Sequence, residues 1–212
     1  MLTLLFMSTT TVKLRWPFWA GLAMAGAGLG LAAMIVLKPG EPPLLWSGLV
    51  MAASAILELT GGLALFRRGG AGISHTIIGG VAIALGLTLF AVGFTYPGAF
   101  QAQTSTMLLG VFFLSTAIAC AIDLFVDRPQ ALLAQALEVG VSFGLAVLAL
   151  WGWRMATPTA VATLIALDLL FSGLALAATS AALRSHPEDT PYHGYQERLQ
   201  HASQRLRADA ST

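Results

Sequence analysis

Apolar residues run through the chain in six long stretches, at 17–37, 43–66, 73–95, 103–126, 131–153 and 159–183, separated by short polar connections. Polar helix faces are nearly absent from them, so they do not read as the one-sided helices of a soluble core. A hydrocarbon layer of about 30 Å takes ~20 apolar residues in helical form, because lipid offers backbone N–H and C=O groups no partner. Each stretch therefore predicts a transmembrane helix. The connections carry Gly or Pro (Pro39, Gly40, Gly69, Gly70, Pro97, Gly98, Pro129, Pro158), and each reads as a helix stop followed by an antiparallel return. None of the six is interrupted internally by proline, unlike the broken helices of secondary transporters. The fold class expected is all-α, an integral membrane bundle of six helices.

Basic residues orient the bundle. With both termini on one side, that side holds Lys13, Arg15, Arg67, Arg68, Arg128, Arg184, Arg198, Arg205 and Arg207, and the other holds only Lys38 and Arg154. The positive-inside rule then places both termini in the cytoplasm of a multi-pass protein. Trp16 and Trp19 fall at the inner interface, and Trp46, Trp151 and Trp153 at the outer one, where indole rings prefer to lie.

Composition narrows the function classes. The 212 residues are 57% hydrophobic and only 10% charged, with mean hydropathy +0.78. Soluble domains carry roughly a quarter charged residues, so an ordinary cytosolic enzyme and a nucleic-acid-binding chain are both excluded. Cys120 is the sole cysteine, which excludes an internal disulfide and any multi-cysteine metal site.

The ends read as separate units. Residues 1–16 form a short cytoplasmic leader, disordered or interfacial, with Met7 as an alternative start. It is no signal peptide, because its apolar run is short and the basic residues follow it. Residues 185–212 form a polar cytoplasmic tail, solvated or, as the second choice, a docking helix.

The odd-numbered spans share a pattern of small residues: Gly26 and Gly30, Ala82 and Gly86, Gly140 and Gly144, each pair followed by leucine. The starts are 56 and 58 residues apart, which predicts three helical hairpins of one ancestral type. Residues i and i+4 share a helix face, and small ones allow close backbone approach where lipid supplies no hydrophobic drive. These six positions are therefore the expected helix-packing sites, joining helices 1, 3 and 5 to each other or to their hairpin partners.

Three Gly-rich hairpins, prolines at the odd-to-even turns and a closing segment around Asp168, Ser172 and Gly173 make residues 17–184 similar to the HdeD family of small bacterial inner-membrane proteins. The resemblance implies a six-helix protein of the bacterial inner membrane linked to acid resistance. It carries over no catalytic residue.

Four carboxylates fall within the spans: Glu58, Asp123, Glu138 and Asp168. Each costs a few kcal/mol at mid-bilayer, so each needs a partner, water or a proton. At ~1.5 Å per residue, Glu58 and Glu138 lie roughly 10–14 Å from the cytoplasmic surface, Asp123 near that surface and Asp168 beyond the midplane. Glu58 and Glu138 would then face one another and share a proton. Two readings follow. One is a set of intramembrane protonatable sites. The other is structural, with carboxyls bonded across helices to Ser54, Thr60, Ser115, Thr116, Ser142 or Ser172. Asp123 can snorkel to the inner surface and there meet His75, and Arg154 can snorkel to the outer surface, where a contact with Asp168 is conceivable but not needed. His75 otherwise stands alone in the membrane part, and His186, His193 and His201 in the tail match no compact metal motif, so no metal and no cofactor are expected. Cys120 reads as a small buried hydrophobe.

The function expected is a non-enzymatic, HdeD-like inner-membrane protein of acid or envelope stress. The alternatives are an accessory subunit of a larger membrane complex, bound through Gly-rich faces and the tail, and a proton or small-solute pathway. The expected partners are the lipid bilayer and a larger complex or a homo-oligomer, with no nucleic acid.

Overall fold

The computed structural model describes residues 2–37, 43–66, 73–95, 99–126 and 132–185. They form six helices: α1 (Leu2–Leu37), α2 (Pro43–Phe66), α3 (Ile73–Thr95), α4 (Ala99–Val126), α5 (Leu132–Gly152) and α6 (Pro158–Ser185), with one 3-10 turn at Trp153–Met155 before α6. No strand occurs among the described residues. All six helices are long and apolar enough to span a bilayer, and the chain is a multi-pass membrane protein. Helices α2 and α3 have the ends expected from hydropathy. The leader differs: α1 starts at Leu2 and runs through Pro17. Proline at 17 removes one backbone donor, yet the helix continues on both sides, and its apolar span starts at Arg15. The tail, 186–212, lies outside the described residues.

Odd and even helices take different places. Over an 18-residue stretch of each odd span 33% of the residues are buried inside the chain, against 50%, 50% and 61% over such stretches of α2, α4 and α6. The even helices therefore make the interior and the odd ones stand at the lipid. The most extensive pairings are α2 with α3, α1 with α6, and α4 with α5, while α6 also touches α2, α4 and α5. The last helix thus closes back on the first. The main core cluster contains Met51, Leu89, Leu109, Phe113, Leu145 and Ile165. Cys120 belongs to it. A smaller cluster joins Ala20, Met24, Leu65 and Leu176 across α1, α2 and α6.

Glycine sets the closest crossings. A Cβ at Gly21 would collide with the backbone oxygen of Gly173 on α6, and one at Gly173 would lie 2.5 Å from the oxygen of Gly21. Gly48 on α2 and Gly86 on α3 form a second reciprocal pair, with a Cβ at either 2.9 Å from the other's carbonyl oxygen. Backbones this close gain dispersion contacts, the main source of helix association in lipid.

Only part of the expected glycine pattern takes part. Ala82 is buried and Gly86 is locked against α2, but Gly26, Gly30, Gly140 and Gly144 meet nothing within 4 Å. The cause is helical geometry. At 3.6 residues per turn, Gly26 and Gly30 sit roughly opposite Gly21 and Gly28, the positions that face α6. Likewise Gly140 and Gly144 lie roughly opposite Gln135, Glu138, Ser142 and Leu145, the buried face of α5. Positions aligned by the sequence pattern therefore face inward on α3 and outward on α1 and α5. Nor do α1, α3 and α5 pair extensively with one another.

Hydroxyls on the lipid side are satisfied locally. Thr60, Thr88, Ser115 and Thr163 are exposed, and each donates to a carbonyl four residues earlier at 2.8–2.9 Å, which removes the cost of a bare donor in hydrocarbon. At the α4–α5 end, Gln103 Nε2 donates to the Arg154 carbonyl at 2.9 Å, and the Arg154 guanidinium lies 5.4 Å from the Trp153 ring centre.

Candidate functional site

The interior is more polar than the near absence of polar faces suggested. Buried Ser, Thr and Gln line it, and among them stand four ionisable side chains: Glu58 on α2 (4% exposed), His75 on α3 (2%), Glu138 on α5 (2%) and Asp168 on α6 (7%). Four helices thus each carry one buried ionisable side chain.

The short helical distances explain how they meet. Glu58 is eight residues from the end of α2, His75 is the third residue of α3, and Glu138 is the seventh of α5. All three lie toward the same end of the bundle, roughly 3–12 Å inside their helices at a rise of 1.5 Å. Two glycines bring α2 and α3 together there. A Cβ at Gly62 would be 2.7 Å from the Thr76 nitrogen, and one at Gly79 would be 2.6 Å from the Leu59 nitrogen. Gly62 follows Glu58 by one turn and Gly79 follows His75 by one turn, so the glycines bracket the contact between the acid and the ring.

His75 stands between the two glutamates. Its Nδ1 is 3.3 Å from Glu58 Oε1, within hydrogen-bond distance, and its Nε2 is 3.9 Å from Glu138 Oε2, the distance of an ion pair. Asp168, on α6, is buried in the same interior. One imidazole and two carboxylates offer ligand atoms all within 4.8 Å of one another, a grouping that could hold a metal ion. Further along the same face of α5, Gln135 and Ser142 are buried on either side of Glu138. The Gln135 Oε1 has no hydrogen-bond partner among the described residues, and neither has the buried Thr116 hydroxyl of α4.

The structure thus brings together Glu58, Glu138 and Asp168 of the four acids singled out in the sequence. Asp123 is on α4, and its side chain lies outside the described ones. His75 is not alone: it faces Glu58 and Glu138, a grouping missed because the three residues are 17 and 63 positions apart in sequence. Ser54, Thr116, Ser142 and Ser172 are buried, as a partner for an interior acid must be. Thr60 and Ser115 are not available, since both face outward and bond their own helices. Arg154 is exposed beside Trp153, at the end of the bundle where α6 begins.

Compared with protein-family models, with curated proteins and with solved structures, the chain matches none.

Proposed function

We propose that the chain is a non-enzymatic, HdeD-like protein of the bacterial inner membrane, with both termini cytoplasmic, that serves in acid or envelope stress. Its working part is the buried centre of Glu58, His75, Glu138 and Asp168. The resemblance rests on the three Gly-rich hairpins, and the observation that carries the reading is His75 held between two carboxylates in the bundle interior. Ionisable groups in a membrane interior are expensive and stand where they do something. An all-apolar core would pack these helices at lower cost. The contact of α6 with α1 also fits three hairpins arranged in a ring.

The test is complementation. A strain lacking the gene carries either the wild-type chain or Glu58→Gln/His75→Leu/Glu138→Gln at matched membrane abundance. Wild type restores survival after acid or envelope challenge, and the variant stays at the level of the deletion. Equal survival would remove the centre from the function.

A second reading has its own observation. Gly26 and Gly30 on α1, and Gly140 and Gly144 on α5, present bare backbone on faces that this chain leaves open. Such faces suit an accessory subunit packed against other membrane helices. Gentle extraction and native gel separation decide it. A complex of fixed composition supports the subunit, and a lone chain removes it.

A further inference from the structure

We propose that Glu58, His75 and Glu138 form a binding site for one divalent first-row transition-metal ion, of the zinc or manganese class, that ties α2, α3 and α5 together inside the membrane. This rests on the reading of the buried centre as the working part of the protein.

The donor set selects the ion class. An imidazole nitrogen with two carboxylate oxygens suits zinc, manganese or iron(II), whereas magnesium and calcium take oxygen ligands and retain water. The geometry is near that of a bound ion. Bonds of ~2.0–2.1 Å in tetrahedral array set ligand atoms about 3.3 Å apart. His75 Nδ1 and Glu58 Oε1 already stand 3.3 Å apart. Glu138 Oε2 stands nearest the other ring nitrogen, Nε2, at 3.9 Å, so an ion on Nδ1 requires the Glu138 side chain to turn toward it; with all ligand atoms within 4.8 Å that closure is at most about 1.5 Å, within reach of glutamate torsions. All three side chains are at least nine-tenths buried.

Charge balance points the same way. Two carboxylates and a neutral imidazole carry two negative charges, which a dication cancels, and desolvating such charges without compensation costs several kcal/mol per ion. The ligands come from three helices and from sequence positions far apart, so binding would cross-link the fold. Gly62 and Gly79 fix α2 against α3, while α5 packs on α4 and α6, so the Glu58–His75 half of the site is preformed and Glu138 closes it.

The experiment uses the full chain, tag-free, in detergent, stripped with chelator and then equilibrated with zinc sulfate. Elemental analysis should find one zinc per chain, with the melting temperature raised by about 5 °C or more at saturating zinc. His75→Ala and Glu58→Gln/Glu138→Gln should each lose at least about tenfold in zinc affinity. A wild type that binds no more zinc than these variants overturns the proposal. A second variant guards against misfolding and against zinc on the tail histidines. His75→Cys, made with Cys120→Ser, should give a cobalt–thiolate charge-transfer band on adding cobalt(II). Absence of that band in a folded variant also overturns it. Zinc binding that fails while the complementation phenotype holds removes the metal and leaves the functional reading; the reverse result removes the reading and leaves the metal.

Discussion

A Cβ atom on Gly62 would sit 2.8 Å from the Cβ of His75. Nothing larger than hydrogen fits at this point, so the first turn of α3 rests directly on α2 and the imidazole is delivered to Glu58. Gly62→Leu should push α3 away and lower stability by about 1–3 kcal/mol, the range for overfilling a packed contact. Thermal unfolding in detergent measures it. A melting temperature equal to wild type would mean that α3 docks without this contact. Because Gly62 offers no ligand atom, loss of zinc affinity in the same variant reports displacement of His75.

The glycine crossings sort into two groups with opposite expectations. Gly21→Leu and Gly173→Leu should each destabilise the bundle by about 1–3 kcal/mol, because the other helix's backbone occupies the space. Gly26→Leu and Gly144→Leu meet open space and should stay within about 0.5 kcal/mol of wild type, as exposed substitutions do. Unfolding of the four variants side by side checks this. A loss at Gly144 equal to that at Gly21 would show a partner, or a second copy, seated on α5.

This division marks where sequence reasoning stopped. Hydropathy located α2 and α3 to the residue, because the length of an apolar run is what a bilayer selects. The small-residue pattern found helix faces without saying which face turns inward: α1 has glycines on both sides, and only the partner's position chooses between Gly21 with Gly28 and Gly26 with Gly30. The centre was visible as acids and invisible as a constellation. Glu58, Glu138 and Asp168 stand out because charge is rare in an apolar span. In sequence His75 stands alone in the membrane part, since its depth depends on how far α3 slides along α2. That register is set by Gly62 and Gly79, whose effect shows only in three dimensions.

Topology gives a third prediction. Lys38 and Arg68 fall in successive connections, which the excess of basic residues assigns to opposite sides. In a Cys120→Ser background, Lys38→Cys should react in intact cells with a membrane-impermeant maleimide, and Arg68→Cys should react only after the membrane is opened. Labelling in the reverse order would invert the bundle and put the His75 end toward the periplasm.

The energetic balance inside the centre supplies the last prediction. His75→Leu removes the ring that stands between Glu58 and Glu138 and leaves two carboxylates facing each other in a space sealed from water. Removing one partner of a buried ionic contact costs about 3–5 kcal/mol, more than the intact contact contributes, because the survivor keeps its desolvation cost. Replacing all three side chains by neutral ones of similar size cancels that penalty. Glu58→Gln/His75→Leu/Glu138→Gln should therefore unfold at a higher temperature than His75→Leu alone, and at or above that of metal-free wild type. The measurement is a double comparison of metal-free proteins in one detergent, so that neither zinc nor lipid enters. A triple variant less stable than the single would mean that the three groups hold the bundle together through their polar contacts, and the centre would then be a structural element of the membrane core. The expected order instead separates the centre from stability, since a fold that gains nothing by keeping three ionisable groups at its middle keeps them for what they bind.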